Sequence, residues 1–441
     1  MKKADVMISG GTILTMVPGE KPVRNGAIVI NGECITEIDT REEIEKEFHA
    51  QEVIDGSGCI IMPGMINGHT HTAMTCFRGM ADDLRLEDWL NNYIFPAEAK
   101  HVNRDFVFWG TLLACAEMIR SGTTTFCDMY IFEDEVARAA QSAGMRCLVG
   151  EVLFDFPSPN YRTPQEGLEY TEMLIEKWRN DPLINIIVEP HSLYTCSPEL
   201  LRDAKGLADK HDCPFGIHYL ETISELKCLS EKFEKGPTSF LRDYGFLDDR
   251  FIGFHCVHMT QSDIEMFARQ KSSIIHNPES NMKLASGVAP VPDMISAGIK
   301  IGIGTDGCAS NNNLDLFQEM DMAAKIHKAH RLDPTVMDAG SVTRMATCSG
   351  AEALGLAAKI GSLRPGMKAD IIVLDFEKPH LIPLYNEYSH LVYSVKGSDV
   401  ETVLIHGKIV MKNRRLMTID ENEVMAKVRE IAMQIKESFH I

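Results

Sequence analysis

The chain has 441 residues, more than one simple core needs, and the length fits a large α/β body carrying a smaller satellite. Its 44 Lys and Arg against 63 Asp and Glu leave a formal charge of -19, which opposes binding to phosphate backbones or anionic membranes; the acidity reads as solubility. Twelve cysteines scattered from Cys34 to Cys348 without a Cys-x-x-Cys argue against a disulfide framework, and no segment approaches the roughly 20 apolar residues of a bilayer span. A cytoplasmic protein with neither nucleic acid nor membrane as partner is expected.

In chain order, residues 5–60 alternate short β-rich runs with tight turns. Asn31-Gly32 between the apolar runs 27–30 and 35 onward predicts a hairpin, because both residues tolerate positive φ. The style returns at 369–375 and 403–410, so the two chain ends are expected to build one β-sandwich. Between them, short apolar runs alternate with helical stretches, the pattern of repeated β/α units. Candidate strands lie at 60–66, 123–127, 146–152, 185–188, 214–217, 251–254, 273–275 and 300–303. Eight of them predict a (β/α)8 TIM-type barrel over 64–365, flanked by sandwich segments 1–63 and 366–441. A helix is expected over 105–120, capped by Asn103 and stopped by Gly122. Another is expected over 421–439, with Val424, Val428, Ile431 and Ile435 on one face.

In such a barrel the chemistry sits at the C-terminal ends of the strands. The first candidate strand runs into Pro63-Gly64-Met65-Ile66-Asn67-Gly68-His69-Thr70-His71, and alternate residues at a strand end aim two imidazoles at one point. Later strand ends carry His191, His218, His255, His276 and Asp306. Neutral imidazoles with one carboxylate suit Zn²⁺ or a similar cation and leave room for water. His69, His71, His218 and Asp306 are the expected ligands. His255 is read as a hydrogen-bond partner of the activated water, with a ligand role left open. An ion so held lowers the pKa of its water from about 15.7 to about 7, which makes hydrolysis the natural reaction class. The fourth strand end, Val188-Glu189-Pro190-His191, offers no lysine to carbamylate and bridge two metals, so one metal is the economical reading. Glu221, three residues beyond His218, is placed to protonate a ring nitrogen during attack on the adjacent carbon.

These residues resemble the amidohydrolase superfamily, and within it the 5'-methylthioadenosine/S-adenosylhomocysteine deaminase branch, over nearly the whole chain. The resemblance rests on the run 63–71, on Leu86-Glu87-Asp88-Trp89-Leu90 with Phe95-Pro96-Ala97-Glu98, and on His218-Tyr219-Leu220-Glu221. Further matches are His255-Cys256-Val257-His258, the run from His276 to Asn281, and Gly304-Thr305-Asp306-Gly307 continuing to Ser310. It implies a purine nucleoside substrate, attack of activated water at C6 of adenine, and release of an inosine-type product and ammonia. Glu221 would shuttle a proton to N1 and Asp306 would relay one toward the departing ammonia. Glu98 would bind the ribose hydroxyls, His191 the purine or nucleoside, and His255 would orient the attacking oxygen. Trp89 would wall the pocket as part of a lid, and Ser310 would contact the site near Asp306. Where the branch carries an arginine at the third strand end, this chain reads Val149-Gly150-Glu151-Val152. A glutamate there would repel a carboxylate, which predicts preference for 5'-methylthioadenosine or adenosine over S-adenosylhomocysteine unless Arg162 substitutes. The rival readings are an aminohydrolase of guanine, a cytosine-like base or a triazine on the same scaffold, and a non-catalytic relative. The latter should have lost ligands, whereas all four are present. The His-x-Glu and Pro-Cys-x-x-Cys of base-flipping zinc deaminases are absent, as is a P-loop. A homo-oligomer of unspecified count is expected.

Overall fold

The computed structural model describes residues 1–84 and 86–439. The side chains of Leu86, Glu87 and Phe439 are not among the described ones, so two members of the 86–90 motif lie outside them. The strands are β1 (Lys2–Ile13), β2 (Val23–Asn31), β3 (Cys34–Thr40), β4 (Phe48–Asp55), β5 (Cys59–Pro63), β6 (Met65–Thr70), β7 (Thr123–Tyr130), β8 (Arg146–Leu153) and β9 (Ile184–Ile186). They continue as β10 (Glu189–Pro190), β11 (Phe215–Tyr219), β12 (Phe251–His255), β13 (Ser273–His276), β14 (Lys300–Ile303), β15 (Ile371–Asp375), β16 (Val400–Ile405), β17 (Lys408–Lys412) and β18 (Arg415–Leu416).

Strands β6, β7 and β8 pair in parallel, and β9 and β10 both follow along β8 as two pieces of one strand. Strands β11 to β14 form a second parallel run. Bridges Val188 to Phe215 and Ser192 to His218 join the runs on one side. On the other, the Asp306 N–H donates to the His69 carbonyl at 2.9 Å. The result is the expected (β/α)8 barrel. That last closure needs a residue without a side chain: a Cβ on Gly304 would lie 2.7 Å from the His69 backbone nitrogen.

Both chain ends build one continuous sheet of nine strands, in the order β18-β17-β16-β15-β5-β1-β2-β3 with β4 also on β1. It curls over its own apolar core, including Ile8, Ile28, Ile61, Ile371 and Leu404. The predicted hairpin joins β2 to β3, with Asn31 opposite Cys34; the two turn residues are Gly32, at φ +56°, and Glu33.

One expectation is corrected. The run 60–66, read as a single strand, is divided between two sheets: β5 lies between β1 and β15 in the end sheet, and β6 opens the barrel. Pro63 has no N–H to continue the ladder, and at Gly64 a Cβ would fall 2.1 Å from Thr124, so only glycine passes there. The junction is braced by a buried ion pair. Arg146, at the start of β8, donates to both carboxylate oxygens of Asp370, at 2.8 and 3.2 Å, while the Asp370 carbonyl accepts from the Gly64 N–H at 2.9 Å.

Two helices follow the sequence closely. Arg104–Arg120 is capped by the Asn103 side chain, which accepts from the Phe106 N–H at 3.1 Å. Glu421–Phe439 packs along it with Val424, Val428 and Ile435 buried and Ile431 partly so. Among the described residues no helix is long and apolar enough to cross a membrane.

Candidate metal centre and active site

The imidazoles of His69, His71, His218 and His255 meet at the C-terminal mouth of the barrel. His69 lies 4.8 Å from His71, 4.9 Å from His218 and 5.5 Å from His255 between ring centroids, and its other face stacks on Phe254 at 4.1 Å. Potential ligand atoms of His69, His218 and His255 lie within 4.8 Å of one another, as do those of His69, His71 and Asp306. Two overlapping triads thus share His69. The expected ligands and His255 stand together as one cluster.

Hydrogen bonding fixes which nitrogen each ring offers. The His218 Nδ1 meets the His191 carbonyl at 2.9 Å, and the His71 Nδ1 meets the Met129 carbonyl. A carbonyl only accepts, so both Nδ1 atoms carry the proton and both Nε2 lone pairs face the centre. His255 is turned the same way by Asn281, whose Oδ1 lies 2.9 Å from its Nδ1. His69 is fully buried with neither ring nitrogen hydrogen-bonded, an arrangement that a coordinated cation relieves. The donor set therefore fits a borderline divalent ion.

Asp306 supplies the negative charge. Its Oδ2 accepts from Ser280 Oγ at 2.6 Å and Ser310 Oγ at 2.9 Å, and its Oδ1 accepts from the Gly307 N–H at 2.8 Å while lying 3.2 Å from His71 Nε2 and 3.6 Å from His69 Nε2. Burial pushes this carboxyl up, but its contact with His71 outweighs that and holds Asp306 well below the usual carboxylate range. The backbone is held to the task as well: φ is +63° at Asp306 and +68° at His255, a left-handed bend uncommon for residues with side chains.

The cluster floors a cavity that also takes in Glu98, His191, Glu221, Trp89 and Ser310. Glu221 is half-buried in the cavity wall, and loss of hydration raises its pKa, with His255 pulling it down and Asp306 pushing it up. Glu98 is pushed up to about 7 by burial, against the pull of the Tyr130 hydroxyl and His71. His191, half-buried, falls to about 3 because it loses hydration and faces His71 and His255.

Over residues 60–410 the chain matches the model of the amidohydrolase family. It belongs to that family. Across 438 residues it is 57% identical to the 5-methylthioadenosine/S-adenosylhomocysteine deaminase 1 of Syntrophus aciditrophicus, covering 99% of each chain. It is 43% identical over 434 residues to the 5'-deoxyadenosine deaminase of Methanosarcina mazei, covering 98% of each. Among solved structures, an adenosine deaminase from Xanthomonas campestris with bound zinc superposes with a TM-score of 0.97 at 35% identity, covering 99% of both chains.

Within this amidohydrolase, some residues sit elsewhere than the sequence suggested. His276 turns out of the cavity and pairs with His327, Nε2 to Nε2 at 3.1 Å. Glu151 also points away: alternation along β8 puts Val152 in the cavity wall and sends Glu151 outward, where it accepts from the Glu133 N–H at 3.0 Å and Asn160 Nδ2 at 2.9 Å. The repulsion argument built on Glu151 therefore fails. Arg162 is exposed and does not line the cavity, so it supplies no replacement. Other residues went unnoticed in the sequence. Glu225 receives the N–H groups of Leu220 at 3.1 Å and Glu221 at 2.7 Å, fixing a bend where Leu220 has φ +50°. Ser280 and Asn281, seen only as parts of a motif, hold Asp306 and His255.

Proposed function

We propose that this amidohydrolase is a zinc-type hydrolase with one divalent ion per subunit that deaminates adenine nucleosides, 5'-methylthioadenosine and its relatives, to the inosine analogue and ammonia. The observation that carries the reading is the joint presence in one cavity of the His69, His71, His218 and Asp306 cluster, a half-buried Glu221 whose pKa is raised, and a buried Glu98. The names of the relatives support the choice of substrate.

A divalent ion bound by these four side chains supplies a water made acidic enough to act as a nucleophile near neutral pH. Glu221 is the proton donor to N1 of the ring, which makes C6 electrophilic; its raised pKa keeps that proton available. His255, fixed through Nδ1 by Asn281, points Nε2 at the attacking oxygen and orients it. Asp306 remains ionised and accepts a proton at Oδ1, which it passes to the leaving amine. The carbon exchanges its amino group for oxygen, one water in and one ammonia out. Glu98 binds the ribose hydroxyls and His191 contacts the nucleoside, while Trp89 and its neighbours exclude bulk water.

The test is release of ammonia, coupled to the ultraviolet change from adenine to hypoxanthine, across 5'-methylthioadenosine, 5'-deoxyadenosine, adenosine, S-adenosylhomocysteine, guanine, cytosine and a triazine. Turnover of the nucleosides is expected. Activity confined to free bases would overturn the reading and reduce Glu98 to a structural group.

A further inference from the structure

A row of rings leads from the metal-binding imidazoles to the cavity mouth. His218 lies 4.9 Å from His191, His191 lies 5.0 Å from Phe154, and Phe154 stacks on Phe156 at 4.6 Å with 22° between the planes. Phe156 then meets the edge of Phe95 at 6.4 Å. Phe95 and Glu98 are three residues apart on the helix Phe95–His101, so they share a face. A ribose held at Glu98 therefore has Phe95 one turn away, toward the mouth. Phe154 is buried in the cavity wall, whereas Phe156 is not itself a lining residue: it is 40% exposed and lies against the lining rings Phe154 and Phe95 from outside. Among the described residues no lysine or arginine lines the cavity, while three carboxyl groups do: Glu98, Glu221 and Asp306.

We propose that Phe95, Phe154 and Phe156 form the subsite for the 5' end of the nucleoside and select a short apolar substituent, methyl or methylthio, over a zwitterionic amino-acid chain. The inference rests on the adenine-nucleoside reading above and adds to it the group that sets 5' specificity. Aromatic edges attract a thioether sulfur, and the two rim rings cover a methyl group from water. An α-carboxylate extended through the same opening finds no lysine or arginine to pair with among the described residues of the wall.

The experiment compares kcat/KM for 5'-methylthioadenosine, adenosine and S-adenosylhomocysteine in the wild type, in Phe156→Ala and in Phe156→Arg, all loaded with zinc. The exposed position of Phe156 leaves the fold undisturbed, which a thermal melt verifies. Phe156→Ala should lower the ratio of methylthioadenosine to adenosine by about tenfold, mainly through KM, the low end of what one apolar group is worth in a pocket. Phe156→Arg should raise S-adenosylhomocysteine relative to methylthioadenosine by about the same factor. Calorimetric binding of 5'-methylthioinosine and inosine repeats the comparison without turnover. A wild type that favours S-adenosylhomocysteine, or ratios that stay within twofold in both variants, would overturn the subsite. Loss of all nucleoside turnover in the wild type, with the binding ratios still shifted by Phe156→Ala, would instead refute the deaminase reading while leaving the subsite standing.

Discussion

Glu225 touches no substrate in the reading above, yet the reaction should depend on it. Its carboxylate receives the N–H groups of Leu220 and Glu221, at 3.1 and 2.7 Å, and it is the anchor of the bend that delivers Glu221 to the cavity. Neutral hydrogen bonds of this kind contribute about 1 kcal/mol each and charge-assisted ones about twice that, so Glu225→Ala removes on the order of 3–4 kcal/mol of local restraint. Part of this is lost as stability, a fall of a few degrees in Tm. The remainder releases Leu220 from its left-handed conformation and lets Glu221 drift. If about 1.4–2.8 kcal/mol of alignment is lost at the proton donor, kcat falls roughly 10- to 100-fold. Glu225→Gln keeps one acceptor oxygen and should fall between. Steady-state deamination with zinc content measured on the same samples decides the matter, because the ligands are untouched and metal should stay at wild-type level. A folded Glu225→Ala enzyme working within threefold of the wild type would refute the reasoning.

Replacing the proton donor itself, Glu221→Gln, should cut kcat by about 10²–10⁴ with metal content unchanged. Because lost hydration raises the Glu221 pKa from its ordinary value, the donor form survives to higher pH, and kcat/KM should decline as pH climbs through that raised value; a rate flat from pH 5 to 9 would contradict it. Chelation should abolish ammonia release and added zinc restore it, and His69→Ala should bind little metal by elemental analysis, since both triads contain His69. Glu133 is fully buried beside Asp128 with no hydrogen-bond donor on either oxygen, and its pKa is raised well above normal, by burial first and then by Asp128. Its folded form keeps a proton that the unfolded chain sheds near pH 4.5, so stability drops as pH rises above that point. Glu133→Gln should gain about 1 kcal/mol or more at pH 8, with the difference vanishing near pH 4, as read from denaturant midpoints.

How much of this was legible in advance depends on what each residue's role requires. The convergence of His69, His71, His218 and Asp306 was readable because a strand end imposes direction: a polar residue just after an apolar run faces the mouth of the barrel. The same rule overreached at His276, which ends β13 but turns outward to His327. It misled at Glu151, where a one-residue difference along β8 decides between cavity and exterior. Glu225, Ser280 and Asn281 gave no usable signal, since each acts on a partner brought close only by the fold, across a bend of positive φ or a separation of 26 residues. The division at Gly64 was hidden for a related reason: apolar residues continue through it unbroken, and only the Thr124 side chain pressing on that point reveals the break.

The way β5 passes into β6 bears on the order in which the molecule can mature. The polypeptide that carries His69 and His71 emerges from the middle of the end sheet, where one neighbour of β5 is β1 and the other is β15, more than 300 residues later. Until that late partner arrives, β5 presents an open edge and Arg146 has no Asp370 to neutralise it. A nascent or truncated polypeptide ending before residue 370 should then hold His69 and His71 on an unsecured support, so assembly of the proposed metal site awaits the completed translation product.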